Sequence, residues 1–444
     1  MKKLFFKAKR VILVCLFPFI GVFAVHAETL NLDIQTAVDM ALQNNLNLQS
    51  ERIDLRTRER VKSSSWNEYL PSMSIDATSS YINEAEALSQ LFPDTSQWYI
   101  SAGIRASLDL TGTKKYSIRE ALLEYESGKI SLEEVEKGLI REIQKSFYYL
   151  ILLQEGIEIL NQNIDTAQKR YDQAKLNYES GLVSELTMLN TLVTLENLKP
   201  ELEGAQVMYR TAELQFRQLL GLRENLDLKL IGIIDIEEIS LESGHLIDSY
   251  ASGSLSVQSM EKTIQLLENQ KKLVKAAGFA PVLSVSSSLT TSVRDPLHTN
   301  LVNAAEWLDG FTFRVGLSFP LDSLIPSSKS KVSVQEIDDS IAMAHLELTD
   351  TLQRVAVDIE TSVLNLQKSL KSMASLEQNV VLAQKVYDLT ELEYNAGVTD
   401  LLRLEDANDR LLESKLAVLT EKYNYLSYLF DLEYTLNTSV VTAL

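Results

Sequence analysis

Two hydrophobic periods alternate along the chain, and they do so twice in the same order. From Ile34 to about Tyr69 apolar positions recur at helical spacing until Leu70-Pro71-Ser72. Proline closes that pattern because it disfavours helix in the residue before it. In Met73–Tyr81, the residues Met73, Ile75 and Ala77 then alternate with Ser74, Asp76 and Thr78. After a polar loop, Trp98, Ile100, Ala102, Ile104, Ala106, Leu108 and Leu110 share one phase, and Tyr99, Ser101, Gly103, Arg105, Ser107 and Asp109 the other. A period of two held over Gln97–Leu110 is a strand and cannot be a helix face. A very long helix is predicted next, from about Lys114 to Ser180. Its apolar residues Leu139, Ile143, Phe147, Leu150, Ile157, Leu160, Ile164, Ala167, Tyr171, Ala174 and Tyr178 run mostly at alternating steps of three and four, as in a coiled-coil seam. Gly181 ends it, and helix resumes from near Ser184 to about Leu222, with a kink expected at Pro200.

The second half repeats the series. A helix is predicted over about Leu246–Ala277, with Pro281 placed like Pro71. One strand sets Leu283, Val285 and Leu289 against Ser284, Ser286, Ser288 and Thr290. The next sets Phe311, Phe313, Val315, Leu317, Phe319 and Leu321 against Thr312, Arg314, Gly316 and Ser318. A long helix (about Ser330–Asn395), a turn at Gly397 and a last helix to about Leu436 complete it. Ala167–Gly181 (AQKRYDQAKLNYESG) and Ala383–Gly397 (AQKVYDLTELEYNAG) match at eight of fifteen positions at an offset of 216 residues. The chain therefore reads as a tandem duplication of a long helical hairpin. The boundaries expected are a leader at 1–27, repeats at 28–222 and 244–437, a linker at 223–243 and a tail at 438–444.

Length decides what these elements can build. At about 1.5 Å per residue each long helix spans on the order of 100 Å. The shorter helices before the strands and after the glycine turn sum to a similar length, so they would stack end to end alongside it. The strands have polar faces carrying Ser, Thr, Asp76, Arg105, Asp109 and Arg314, and nearly unbroken apolar faces. A small sandwich covering its own apolar face is one way to use them. Against it, the best strands hold their apolar phase for about ten residues, the length that crosses an outer membrane at a tilt. Tyr81, Trp98, Tyr99, Trp307 and Phe311 sit near strand ends, where an aromatic girdle would lie. A sheet in lipid must close, and four strands are too few, since the smallest such barrels have about eight. Several chains must then share one barrel, with Arg105 and Arg314 facing its lumen.

Composition narrows the compartment. Lys2, Lys3, Lys7, Lys9 and Arg10 precede the apolar run Val11–Val25, and Val25-His26-Ala27 offers small residues before Glu28. This pattern is read as a cleaved secretory signal; the run is short for a transmembrane anchor and is broken by Pro18. Cys15, the single cysteine, lies inside the run with too little before it for a lipoprotein site. Cleavage would leave 417 residues, no disulfide, and a net charge of −24, five cations fewer than the −19 of the full chain. So acidic a chain would repel nucleic acid. No later stretch offers about 18 consecutive apolar residues, so no membrane-spanning helix is expected.

With these elements in order, the chain resembles the outer-membrane efflux protein (TolC-like) family. The likeness rests on Tyr178-Glu179-Ser180-Gly181-Leu182-Val183-Ser184 and on Tyr394-Asn395-Ala396-Gly397-Val398-Thr399-Asp400-Leu401-Leu402. Gly316–Leu321 (GLSFPL) and Tyr423-Asn424-Tyr425-Leu426 add to it. No single motif is strong, but the ordered set, found twice, covers nearly all the chain after the leader. The resemblance implies a mainly α fold with a homotrimeric, 12-stranded barrel in outer-membrane lipid and an α-helical barrel reaching into the periplasm. It implies a passive exit duct for efflux or type I secretion, fed by a periplasmic adaptor (membrane fusion) protein and an inner-membrane pump. The adaptor would dock at the tip turns, Gly181, Leu182, Val183, Gly397, Val398 and Thr399. The family's closing ring of aspartates lies six and nine residues after the second glycine, which here are Arg403 and Asp406, with Glu405 beside them. Its latching basic residue is Thr399 here, so only Asp406 carries over cleanly. A local Arg403–Asp406 pair is the simpler alternative.

Catalytic chemistry finds no foothold. His26 falls in the leader, and His245, His298 and His345 stand apart. HExxH, P-loop, GxGxxG and GxSxG motifs are missing. Acids fall on helix faces interleaved with Lys and Arg, the pattern of solvated surface. Neither an enzyme, nor a cofactor, nor a metal is expected. A soluble periplasmic coiled-coil adaptor or scaffold, its strands folded into a small cap, is the alternative function.

Overall fold

A computed structural model describes residues 29–81, 98–222, 227–236, 239, 241–294, 307–321 and 324–440. The expected leader and most of the loops at 83–96 and 294–309 lie outside the described residues. In chain order, β1 (Thr29–Leu32), α1 (Ile34–Asn44), α2 (Leu46–Ser64), β2 (Ser72–Tyr81), β3 (Trp98–Thr111), α3 (Lys114–Glu179) and α4 (Glu185–Leu220) form the first series. The second comprises β4 (Asp227–Leu230), α5 (Ser243–Tyr250), α6 (Leu255–Phe279), β5 (Val282–Arg294), β6 (Leu308–Ser318), α7 (Lys329–Asn395) and α8 (Leu401–Leu436).

The duplication extends to the core. Ile143 and Ile359 are both fully buried, as are Phe216 and Leu432, each pair separated by the same 216 residues. Leu139, Ile143, Phe147 and Leu150 on α3 pack with Phe216 and Leu220 of α4. Val355, Ile359, Val363 and Leu366 on α7 pack with Leu432 and Leu436 of α8. Tyr148 and Ile234 border both clusters and join the two halves. Helix ends repeat as well. Gly181, Gly221 and Gly397 have φ of 73°, 68° and 72°, and Asn437, the counterpart of Gly221, has φ 56°. In each case the following residue's N–H reaches back to close the last turn: Leu182 to Asn177, Leu222 to Arg217, Val398 to Glu393 and Thr438 to Glu433. These are Schellman caps, which need a left-handed residue; Asn tolerates that conformation best after Gly.

Three expectations need correction. The helix read over Ile34–Tyr69 breaks at Asn45, whose side chain caps α2 at the Leu48 N–H (3.1 Å) and donates to the Leu219 carbonyl (2.9 Å). The C-terminal end of α4 lies against that junction, with Gly221 beside the Asn44 carbonyl. The helix read over Leu246–Ala277 is two helices, with Ser254 capping α6. Linker residues Asp227–Leu230 form β4, which pairs in parallel with β1. Both strands are four residues long, too short for alternation to show. Pro200 stands inside α4 without ending it.

The four long strands form one antiparallel sheet in the order β2-β3-β5-β6. The central β3–β5 pairing, from Tyr99↔Arg294 to Thr111↔Val282, ties the two repeats together. Register carries the sequence alternation across the whole sheet: Ile75, Ile104, Leu289 and Phe311 lie in one row. One face is apolar apart from Ser79, Ser287, Thr291 and Asp309, and the other is mostly Ser, Thr and Gly with a few charges, joined by Tyr99, Val282 and Leu308 at the strand ends.

Candidate functional site

The predicted site residues fall at two ends of a long molecule. Arg105 and Arg314 stand exposed on the sheet's polar face, Arg105 opposite Ser74 and Ser288 and Arg314 opposite Ser286. Hydroxyl pairs Ser72–Ser107 (2.8 Å) and Thr78–Ser101 (2.7 Å) span β2 and β3 on that face. Most of the apolar face is uncovered, though Val293 on it is buried: Ile75 is 81% exposed, Phe311 70%, and Phe313, Val315 and Leu317 60% each. Among the described residues β2 and β6 are outer strands, each hydrogen-bonded along one edge only. A sheet of this length with one mainly apolar surface and two open edges is incomplete by itself in water or in lipid.

The opposite end holds the two glycine turns. Leu182 and Val398, at matched positions, are 75% and 76% exposed, while Val183 and Thr399 are half-buried. Leu186 and Leu402, also matched, stand exposed one helical turn later. Ser184 caps α4 at the Thr187 N–H, and Asp400 caps α8 at the Arg403 N–H. The hairpins are held side by side near these turns by polar contacts. Arg170 donates to the Tyr387 hydroxyl (2.6 Å), which donates to Glu391 (3.0 Å). Burial pushes the Tyr387 phenol above its ordinary range.

The three candidate constriction residues share the first turns of α8 but not one environment. Arg403 supplies the backbone N–H for the Asp400 cap. Glu405 accepts a hydrogen bond from Thr194 of α4 (2.6 Å). Asp406 pairs with Arg410 (3.1 Å), both side chains exposed, so the ion pair formed is i,i+4 with Arg410 and not i,i+3 with Arg403. Sequence spacing permitted either partner, and reading missed Arg410. It missed the buried Glu213–Arg217 pair on α4 as well (2.5 Å), where Glu213 also accepts from Arg210 (2.7 Å). Burial pushes the Glu213 carboxyl up, but the two guanidinium donors outweigh it and hold it below the ordinary range. Its i,i+4 spacing looks like any solvated pair; only the fold buries it.

No described helix is long and apolar enough to cross a membrane. Among the described residues, no group of His, Cys, Asp and Glu is placed to hold a metal ion.

Comparison with known proteins gives a consistent result. The family model described as outer membrane efflux protein matches residues 37–222 and 246–438. The chain is 26% identical over 164 residues to outer membrane protein TolC of Salmonella enteritidis, covering 36% of this chain and 33% of that protein. It is 20% identical over 297 residues to toxin and drug export protein A of Aggregatibacter actinomycetemcomitans, covering 66% and 63%. The matched stretches thus span less than two thirds of these relatives. The crystal structure of the Campylobacter jejuni CmeC outer membrane channel superposes with a TM-score of 0.77 at 15% identity, over 91% of this chain and 85% of that one. At that identity the likeness shows the shared fold.

Proposed function

The chain belongs to the outer membrane efflux protein family and is a protein of the outer membrane extending into the periplasm, and we propose that three copies form a passive exit duct across both. The observation that carries this reading is the four-stranded sheet with its largely uncovered apolar face and two open edges. Eight exposed apolar side chains on that face (Met73, Ile75, Ile104, Leu289, Phe311, Phe313, Val315 and Leu317) would each gain about 1.5–3 kcal/mol on leaving water. In lipid the edges must be paired, so copies join β2 to β6 until the sheet closes. Two copies would give an eight-stranded barrel whose interior is filled by side chains; three give twelve strands and room for a lumen. Arg105 and Arg314 would line that lumen.

Below the membrane the hairpins would continue the duct, with no chemistry performed on what passes. The leader at 1–27 would direct export, and 28–222 and 244–437, joined by 223–243 and followed by the tail 438–444, would be the two repeats of each wall. The exposed apolar pairs Leu182/Val398 and Leu186/Leu402 suit the tips for docking a periplasmic adaptor, which an inner-membrane pump drives. The duct would serve small-molecule efflux or type I protein secretion. The carboxylates of Asp406, and Glu405 behind them, would ring the narrow end, where Arg403 breaks the acidic character. A soluble scaffold would leave the sheet's apolar face uncovered, which disfavours that reading.

The test is the mass of protein extracted from membranes, by light scattering with the detergent contribution subtracted. Three chains per particle are expected; a single chain stable without detergent would overturn the duct.

A further inference from the structure

The charge of this chain is unevenly placed. The twelve residues adjoining each long strand on its helix side (60–71, 112–123, 270–281 and 319–330) contain nine lysines and arginines against three acids, in a chain of formal net charge −19. On the first two helices, Arg60, Lys115 and Arg119 are exposed; on the other two, Lys272, Lys275, Lys329 and Lys331 are. None of these seven has a carboxylate ion-pair partner among the described residues, whereas Lys271 beside them pairs with Asp338. Local contacts account for part of the placement, since Lys62 lies over the Tyr125 ring, Lys114 over Tyr69 and Lys115 over Tyr116, but the helix ends do not favour it. Lys114 and Lys115 open α3, and Lys329 and Lys331 open α7, with no acid in either first turn. A helix N-terminus carries positive partial charge and disfavours cations.

A second feature occupies the same end. Trp66, Tyr69, Leu70, Phe279, Leu324 and Ile325 are each 46% or more exposed between the cations and the strands. From the sheet outward, the order beside β2, β5 and β6 is therefore an apolar surface, an aromatic and aliphatic fringe, then cations on long stems, while Lys114 and Lys115 follow β3 after only Gly112 and Thr113. That order matches a membrane boundary, where aromatic rings sit at headgroup level and Lys or Arg snorkel outward.

We propose that these cations bind the headgroups of anionic phospholipids in the periplasmic leaflet, an inference that rests on the sheet lying in the outer membrane. The helices leave the sheet on the periplasmic side, so the leaflet the cations meet is the inner one. Charge complementarity selects phosphatidylglycerol-like over zwitterionic lipid, and the rest of the acidic chain is kept off the same surface.

The test uses the full chain in phosphatidylcholine vesicles carrying a trace of spin-labelled phosphatidylglycerol or phosphatidylcholine, reading the motionally restricted fraction. The expected relative association is about three-fold or more in favour of phosphatidylglycerol. It should fall toward parity in the Lys272→Gln/Lys275→Gln/Lys329→Gln/Lys331→Gln variant and in high salt. The preference should survive Lys169→Gln/Lys175→Gln/Lys385→Gln, exposed cations near the far end of the helices. Parity in the unaltered protein, or a preference that the four-lysine variant retains, overturns the proposal. Absence of any restricted lipid with either label would instead sink the membrane placement of the sheet.

Discussion

Leu289 and Thr290 are neighbours in β5 whose side chains leave opposite faces of the sheet, and replacing each with lysine separates a membrane barrel from a water-exposed cap. Leu289 is 55% exposed and lies in the central row between Ile104 and Phe311. Thr290 lies between Gly103 and Gly310, where a longer side chain has room. If the apolar face meets lipid, a lysine at mid-sheet costs about 2–4 kcal/mol per chain. Over three chains the penalty reaches roughly 6–12 kcal/mol, at least four decades in the assembly equilibrium, since about 1.4 kcal/mol is tenfold. Thr290→Lys would face water in the lumen and stay within about 0.5 kcal/mol of the parent. The assay is the fraction of each variant recovered from membranes as an intact oligomer in mild detergent, against total protein. We expect Leu289→Lys to be nearly absent from that fraction and Thr290→Lys to match the parent. Were the face merely exposed to water, both lysines would be tolerated alike; equal recovery would refute the lipid-facing assignment.

Further outcomes follow from single residues. A Cβ on Gly221 would lie 2.5 Å from the Asn44 carbonyl oxygen, whereas nothing approaches one on Gly397 within 4 Å. Gly397→Ala should therefore cost only the left-handed strain, about 1–2 kcal/mol, while Gly221→Ala also displaces the α1–α2 junction and should lower the thermal midpoint clearly further. Asp406→Ala should raise resting conductance in planar bilayers if Asp406 lines the closed end. Its exposed pair with Arg410 adds about 0–1 kcal/mol, so the melting temperature should hardly move; unchanged conductance would remove Asp406 from the constriction. Glu213 has a lowered folded-state pKa, so its stabilisation is present above the ordinary glutamate value near 4.5 and is lost as pH falls through and below it. Glu213→Gln should cost about 2–3 kcal/mol at neutral pH and flatten the acid limb of a urea-stability profile; an unchanged limb would contradict that.

Much of the fold was legible because it is written locally and then repeated. The alternation of Trp98–Leu110 specified β3, and the three-four spacing from Leu139 to Tyr178 specified α3. Gly181 and Gly397 marked their ends through a backbone conformation that other residues resist. What escaped reading depends on partners distant in sequence. Asn45 looks like a tolerable helix residue until Leu219, 174 positions away, accepts its side-chain amide. At the candidate constriction, position relative to Gly397 could be counted, but the choice of Arg410 over Arg403 for Asp406, and of Thr194 for Glu405, required side-chain geometry.

Taken alone, the sequence determined the two periods, their order and their duplication, because hydrophobic spacing and turn chemistry act over a few residues. Tertiary structure alone decided that β3 pairs with β5, so that two repeats share one sheet. It alone decided that β1 pairs with β4 across 198 residues of sequence, and that Glu213 is buried while Asp406 is not. Each of these is a choice among partners that local spacing leaves equivalent, made by burying apolar surface and satisfying backbone groups across the whole chain.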